Sequence, residues 1–315
     1  MASPSYRPPL SPRPWNWTPQ HSRLGPKAPR PINRVRYNQR GMTVCVAALA
    51  DVGKSIVLAC DSMLSGGEFS GDKVAHKLYP LSGQFHWCAM AAGDDITHIA
   101  PVIDGAVLGL LGLTDVTNTA ENVERTVVAA YQNVRIRHAE DMVLAPIGMT
   151  MESFLQKTEW QNNLVDELRA VDLGCQVLVA GFDWTGDGHI FTVEHPGIVR
   201  NHDFSGWASI GNGAYSAISM LLFHSVSYDM ELARVIYHVC EAKFMAESAP
   251  GVGKHTVVKV MKPDMLVATP SELSSDCISK IRDEWESQGK PRIPTSALDG
   301  IREILETHPF GKLSK

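Results

Sequence analysis

The sequence is poor in cysteine and in long apolar runs, and each shortage excludes a class of protein. Its 315 residues include six cysteines, none in a C-x-x-C spacing, which is too sparse for a secreted disulfide scaffold. No run reaches the roughly 18 consecutive apolar residues that a membrane span requires. The nearest run, residues 100–113, is shorter and contains Asp104. We therefore expect a cytoplasmic protein without a membrane segment, whose cysteines are reduced and mostly buried.

Acidic residues are absent from the first 41 positions, which hold eight basic residues and nine of the 19 prolines. Proline fixes φ and lacks an N–H donor, so residues 1–42 are predicted to be a disordered extension. Four interpretations stay open: a true translation start at Met42, a propeptide, an organellar transit peptide and a nucleic-acid-binding arm. The proline content opposes the amphipathic helix of a transit peptide. A disordered tail explains the composition without a nucleic-acid partner.

The rest of the chain alternates between strand patterns and helix patterns. Apolar, β-branched runs predict strands at 43–50, 55–60, 74–81, 85–92, 175–182, 189–193, 207–210, 255–261 and 266–268. Helices are predicted at 95–113, at 120–172 with a break near Pro146, at 213–224, at 229–247 with Asp229 as N-cap, and after a capping box at 269–272. This order predicts an α+β fold, a four-layer αββα sandwich of two antiparallel sheets between helices.

Three polar residues of this pattern are expected to meet. Thr43 opens the first strand, Asp61 ends the second, and Lys77 lies on the third. Residues that face each other across a hairpin have a constant sum of their numbers, and a turn centred near residues 52–53 brings Asp61 beside Thr43. Taken alone, the pattern fits a surface ion pair as well as a reactive site.

The amino-acid sequences of these strands resemble those of a known protein family. Four runs resemble the proteasome β-subunits and the related bacterial ATP-dependent ring proteases: MTVCVA at 42–47, VLACDS at 57–62, VAHKL at 74–78 and AMAAGD at 89–94. The run ASIGNGAY at 208–215 is similar to the Gly-Ser-Gly turn that opens a helix in that family, and the hairpin at 180–190 also fits. The resemblance covers residues 43–267 and implies the N-terminal-nucleophile hydrolase fold.

The resemblance also implies roles for four residues. Thr43 would be the nucleophile and, through its own α-amino group, the base; Asp61 and Lys77 would be the charge pair. The backbone N–H of Gly93 would donate to the oxyanion. The chemistry is sound, because a threonine hydroxyl needs a base at neutral pH and an α-amino group has a pKa near 8.

The sequence departs from the family pattern in three places. Asn212 stands where the family has a serine that relays the proton of the amine. Of the family's second Asp–Ser pair, only Glu247 and Ser248 are polar candidates. Met42 rather than glycine precedes Thr43, although the mechanism requires a chain that begins at Thr43. Asn212, Glu247 and Ser248 are therefore weaker candidates for the site.

We predict a threonine peptidase that acts on protein or peptide substrates. The resemblance also implies a ring-shaped homo-oligomer and an ATPase unfoldase as partner, although nothing in the sequence identifies that ATPase. The hydrolase domain would span 43–268, followed by a C-terminal helical extension at 269–315. No metal or other cofactor is expected, because the 12 histidines show no zinc spacing. Two alternatives remain: a non-catalytic structural subunit and an amidohydrolase that acts on small molecules.

Overall fold

The computed structural model describes residues 43–66, 69–71, 77–82, 87–93, 96–156, 161–263, 271–289, 296–299 and 301–302. The predicted extension at 1–42 and the predicted strand at 266–268 lie outside these residues. The strands are β1 Cys45–Ala50, β2 Ser55–Asp61, β3 Leu64–Gly66, β4 Phe69–Gly71, β5 Leu78–Ser82, β6 Trp87–Gly93, β7 Cys175–Phe182, β8 Gly188–Glu194, β9 Ile198–Asn201, β10 Trp207–Ile210, β11 Thr256–Met261 and β12 Ser271–Glu272. The α-helices are α1 Ile99–Leu110, α2 Ala120–Ala139, α3 Met151–Gln156, α4 Gln161–Ala170, α5 Ala214–Phe223, α6 Leu232–Ala246 and α7 Ser275–Glu284.

These strands form two five-stranded antiparallel sheets. The first has the order β10-β1-β2-β11-β12, and the second has the order β5-β6-β7-β8-β9. A separate two-stranded ribbon joins β3 to β4. Every residue of β1 and of β2 is buried, as expected for a sheet covered on both faces.

Three apolar clusters separate four layers. The cluster between the sheets joins residues such as Leu58 of β2 to Leu178 of β7. A second cluster packs α1 and α2 against the outer face of the β5–β9 sheet. A third packs α5, α6 and α7 against the outer face of the other sheet. The predicted αββα sandwich is therefore confirmed.

The β1–β2 hairpin sets the register at the middle of the molecule. Its turn uses three residues with positive φ, namely Asp51, Val52 and Gly53. The strands then pair Cys45 with Cys60 and Ala50 with Ser55. This register leaves Thr43 and Asp61 together at the open end of the hairpin, as the sequence predicts.

The helical predictions need two corrections. Asp229 is not the N-cap of α6, because the helix begins at Leu232 and its first N–H donates to Asp51 Oδ1 at 3.0 Å. The capping box predicted at 269–272 is also wrong. Ser271–Glu272 pair with β11 as a strand, and Ser274 accepts from the N–H of Cys277 to cap α7.

Other elements follow the prediction or extend it. The helical region at 120–172 is broken around Pro146, as expected, where short turns replace α-helix. Strand β9 was not predicted, because it has four residues, none of them buried. Ile278 and Trp285, within or just after α7, join the apolar cluster of α5 and α6. The division of the chain at 268/269 stays a prediction.

The composition also led to expectations about the cysteines and about membrane-spanning helices. All six cysteines are free thiols, and five of them are buried. Among the described helices, none combines the length and the apolar character needed to cross a lipid bilayer.

Candidate active site

Thr43, Asp61 and Lys77 meet at the open end of the β1–β2 hairpin. Thr43 precedes β1, Asp61 ends β2, and Lys77 precedes β5 of the other sheet. The Thr43 hydroxyl donates to Asp61 Oδ1 and accepts from Lys77 Nζ. Lys77 Nζ also lies 2.9 Å from Asp61 Oδ1. The three side chains are 4%, 0% and 9% exposed, so the cluster lies almost out of contact with water.

The Asp61 carboxylate is held by backbone groups from three segments. Oδ1 accepts from the N–H of Val44 at 3.0 Å, and Oδ2 accepts from the N–H of Met63 at 3.1 Å and of Gly253 at 3.2 Å. A buried carboxylate needs such partners, because burial without them costs several kcal/mol, on the order of 3–5. The position of Asp61 is therefore fixed independently of the two side chains that it contacts.

The turn at 211–213 closes over the backbone of Thr43. The N–H of Gly213 donates to the Thr43 carbonyl at 3.3 Å, and Gly211 has φ +90°. A Cβ on Gly211 would lie 2.4 Å from that carbonyl oxygen, so the close approach requires glycine. Asn212 lies between the two glycines of this turn, and its role in the site stays a prediction.

Gly93 lies at the same end of the sandwich. It ends β6 and pairs with Cys175 of β7, next to the pair of Ala92 and Gln176. The side chain of Gln176 accepts from the N–H of Gly211, which contacts Thr43. A chain of contacts thus connects the end of β6 to Thr43. The role of Gly93 as oxyanion donor stays a prediction.

Glu247 belongs to a second buried ion cluster behind the first. Lys243, 0% exposed, donates to Glu247 Oε1 at 2.6 Å and to the Gly253 carbonyl at 2.7 Å. Arg282 of α7 donates to both carboxylate oxygens of Glu247, at 2.8 and 2.6 Å. Burial lowers the pKa of Lys243, and the charge of Glu247 opposes that shift. The hydrogen bonds from Arg282 tie α7 to this cluster.

The backbone of one residue, Gly253, joins the two clusters. The N–H of Gly253 donates to Asp61, while its carbonyl accepts from Lys243. Glu247 therefore does not contact Thr43 directly, but is connected to it through Lys243, Gly253 and Asp61. Ser248 is not brought into either cluster, because it is exposed and its hydroxyl donates to the Met245 carbonyl at 2.8 Å.

Two cysteines lie in the strands that end at the cluster. Cys45 begins β1, and Cys60 precedes Asp61. Burial raises the pKa of Cys45 well above its ordinary value and that of Cys60 to about 12. Thiolates are the nucleophilic form of cysteine, so both thiols are inert near neutral pH. The Thr43 hydroxyl is the better candidate nucleophile at this end of the sandwich.

Sequence reasoning did not find Lys243 or Arg282. A signal for Lys243 was present, because it continues the apolar stripe of α6 four residues after Val239. A charged residue at such a core position requires a buried partner. Arg282 gave no comparable signal, since its partner lies 35 residues away in the sequence.

Two antiparallel five-stranded sheets between helical layers are the architecture of the N-terminal-nucleophile hydrolase fold. Among solved structures, "Anbu (ancestral beta-subunit) from Yersinia bercovieri" shares it with a TM-score of 0.56 and 15% identity, over 86% of this chain and 100% of that one. An "Anbu (Gly-1) mutant" from Hyphomicrobium sp. strain MC1 gives a TM-score of 0.55 and 14% identity, over 87% and 100%.

In contrast to the structural comparison, the sequence comparisons find no match. No protein-family model matches the chain, and no curated protein matches it. The resemblance to proteasome β-subunits is therefore confirmed as a likeness of fold to Anbu over most of the chain. At 14–15% identity the likeness shows the fold and does not by itself establish an activity.

Proposed function

We propose that the protein is a threonine peptidase that hydrolyses peptide bonds with Thr43 as its N-terminal nucleophile. The observation that carries the proposal is the buried contact of the Thr43 hydroxyl with both Lys77 and Asp61. A surface ion pair would not explain why Asp61 is held by three backbone donors beside a hydroxyl. The fold shared with Anbu supports the same assignment.

The base in this mechanism is the α-amino group of Thr43 in a chain that begins there. Its reference pKa of about 7.7–8.0 suits proton transfer near neutral pH. The hydroxyl oxygen attacks the substrate carbonyl carbon, and its proton passes to the amine. The amine then protonates the leaving nitrogen as the peptide bond breaks, which leaves an ester on Thr43. Water hydrolyses that ester and restores the hydroxyl.

Lys77 and Asp61 prepare the hydroxyl for this attack. The ammonium group beside Oγ1 stabilises negative charge that develops on that oxygen and favours the neutral amine. Asp61 compensates the buried charge of Lys77 and fixes its position. A backbone N–H donor aimed at the oxyanion, here assigned to Gly93, contributes a rate factor of about 10²–10³ in enzymes of this kind of chemistry.

The first test is the N-terminal sequence and intact mass of the purified protein, followed by labelling with a peptide vinyl sulfone. We expect a chain that begins at Thr43 and carries one adduct on that residue. Thr43→Ala should abolish turnover of unfolded casein, while Thr43→Ser, which keeps a hydroxyl, should retain part of it. Retention of Met42 or earlier residues by the assembled protein would remove the base from the mechanism and contradict the proposal. Turnover of small amides but not casein would instead favour the amidohydrolase.

Asn212 favours one alternative, a non-catalytic structural subunit. It replaces the serine of the family in the turn beside Thr43, so the amine loses a hydroxyl partner for its proton. In that case the Asn212→Ser variant should gain turnover that the natural chain lacks.

We also propose a ring-shaped homo-oligomer and an ATPase unfoldase as partner. Sedimentation velocity of the purified protein tests the ring, and co-purification with an ATPase tests the partner.

A further inference from the structure

Two histidines and a glutamate converge at the α5–α6 helix pair, on another part of the first sheet's outer layer. His224 directly follows α5, while His238 and Glu241 lie one turn apart on α6. Their ligand atoms all lie within 4.8 Å of one another. His224 Nε2 is 2.8 Å from Glu241 Oε2, and His238 Nδ1 is 3.3 Å from the same oxygen. Neither the fold nor the proposed peptidase chemistry accounts for this convergence.

The surroundings of the three residues are unusual for a plain ion pair. Glu241 is 2% exposed, so its carboxylate requires a positively charged or hydrogen-bonding partner. His224 Nε2 is buried and, despite its short distance to Glu241, has no hydrogen bond of acceptable geometry. The two imidazole rings stack with centroids 4.3 Å apart and planes at 26°. Both rings therefore present nitrogen atoms toward one buried carboxylate oxygen.

This donor set matches the preferences of zinc. Imidazole nitrogen and carboxylate oxygen are ordinary zinc ligands, at about 2.0–2.2 Å from the metal. Ligand atoms around a tetrahedral zinc ion are then about 3.3 Å apart. The separations of 2.8 and 3.3 Å are close to that value, and side-chain rotation must close the longest separation, at most 4.8 Å.

The surroundings of His238 favour its neutral form as well. Burial lowers the pKa of His238, and the nearby His224 acts in the same direction, while the hydrogen bond to Glu241 opposes them. A neutral imidazole has a free lone pair and binds metal without first releasing a proton. A dication would also supply the positive charge that the buried Glu241 carboxylate calls for.

We propose that His224, His238 and Glu241 bind one Zn²⁺ ion per chain, with a fourth position left for water. The ion joins the end of α5 to α6. Because α6 also carries Lys243 and Glu247 directly follows it, the ion would fix the helix that supports the second ion cluster. Sequence analysis did not find this site, because His224 lies 14 residues before His238 and follows a different helix.

The test is zinc binding to the full chain without an affinity tag, measured by isothermal titration calorimetry. We expect one Zn²⁺ per chain and a rise in melting temperature on zinc addition. His224→Gln should weaken binding by at least roughly 100-fold and abolish the rise, because a lost ligand matters at least as much as a lost supporting residue. Mg²⁺ should not compete, since it prefers oxygen ligands.

The molecule contains a matched control. His98 and His138 also contact each other with ring centroids 4.3 Å apart, but among the described residues no third metal-binding side chain completes a group with them. His98→Gln should leave zinc binding unchanged. A melting curve without zinc checks that both variants are folded.

A direct observation settles the proposal even if a variant fails to fold. Crystals of the natural chain soaked in ZnCl₂ should show an anomalous peak at the zinc edge between His224, His238 and Glu241. A peak elsewhere with none at this position, zinc binding that persists in His224→Gln, or equal binding of Mg²⁺ would each overturn the proposal.

Discussion

The two ends of the β1–β2 hairpin each carry a Lys–Asp ion pair, and the main difference between the two pairs is their burial. At the open end, Lys77 Nζ lies 2.9 Å from Asp61 Oδ1, and the side chains are 9% and 0% exposed. At the turn, Lys54 Nζ lies 2.6 Å from Asp187 Oδ1, and the side chains are 50% and 59% exposed. The shorter pair is the one in water, so distance alone does not show which pair matters.

The surroundings explain the difference between the two pairs. Asp61 accepts from three backbone N–H groups and a hydroxyl, and only the hydrogen bond from Met63 is partly exposed. Asp187 has Thr185 and Lys54 as side-chain partners, and water competes for both. Charges in a low-dielectric interior interact more strongly than charges at the surface. Only the open end therefore combines a fixed carboxylate with a reactive group.

The largest effect is expected from Asp61→Asn, which leaves the Lys77 ammonium buried without its counter-charge. Breaking a buried pair in this way costs about 3–5 kcal/mol of unfolding free energy. Turnover of casein should fall by at least about 10²-fold, because Lys77 loses its position beside Thr43. Urea denaturation and initial rates measure the two effects. Asp187→Asn is the matched control at the other end, and equal losses in both variants would contradict the comparison.

A somewhat smaller effect is expected from Glu247→Gln, which removes the charge partner of fully buried Lys243. Unfolding free energy should fall by about 3 kcal/mol, while turnover should fall less than in Asp61→Asn because Asp61 keeps its other donors. The double variant Lys243→Met with Glu247→Leu should recover part of the stability, since it removes the buried ammonium together with its partner, while Arg282 still loses the carboxylate that it contacts. If the double variant is no more stable than Glu247→Gln, the second ion cluster does not act as a pair.

Lys54→Met should change unfolding free energy by less than about 1 kcal/mol, because exposed pairs contribute little. The difference from the natural chain should shrink further in 0.5 M NaCl, since salt of roughly that strength screens surface charges within a few ångströms. Chemical denaturation at low and high salt measures it. A loss as large as that of Asp61→Asn would show that exposure does not govern these pairs.

The smallest effect concerns pH at the turn. The hydrogen bond from Lys54 lowers the pKa of Asp187 below its ordinary value of 3.8. A carboxyl with a lowered pKa in the folded state adds stability above its unfolded pKa and loses it as pH falls through the folded pKa. The stability difference between the natural chain and Asp187→Asn should therefore be constant near pH 6 and shrink as pH falls below the ordinary pKa of 3.8. Thermal melts at several pH values test this, and a difference that grows on acidification would contradict it.

The sequence was sufficient for the layers and for the open end of the hairpin. The runs at 43–50 and 55–60 are apolar on both faces, which predicts two central strands. The length of the turn between them determines their register. The pairing of two strands joined by a short turn depends on residues that are close in the sequence, so it can be predicted from the sequence alone. The meeting of Thr43 and Asp61 follows from that register alone.

Contacts between distant segments could not be predicted in the same way. Asp51 rather than Asp229 caps α6, because the hairpin turn reaches the helix from another layer. Arg282 reaches Glu247 through the packing of α7, and Gly253 reaches Asp61 across 192 residues of sequence. Such contacts depend on how layers pack, which hydrophobic periodicity does not specify.

The segment around Gly253 has consequences for flexibility. Its sequence, Gly251-Val252-Gly253-Lys254, is of a kind that loses much conformational entropy on folding. Yet both backbone polar groups of Gly253 are held, because its N–H donates to the Asp61 carboxylate and its carbonyl accepts from the Lys243 ammonium. Its amide hydrogen should exchange with solvent as slowly as those of the central strands. A glycine-rich segment thus becomes a rigid support for Asp61. We therefore expect this end of the sandwich to become ordered during folding rather than on substrate binding.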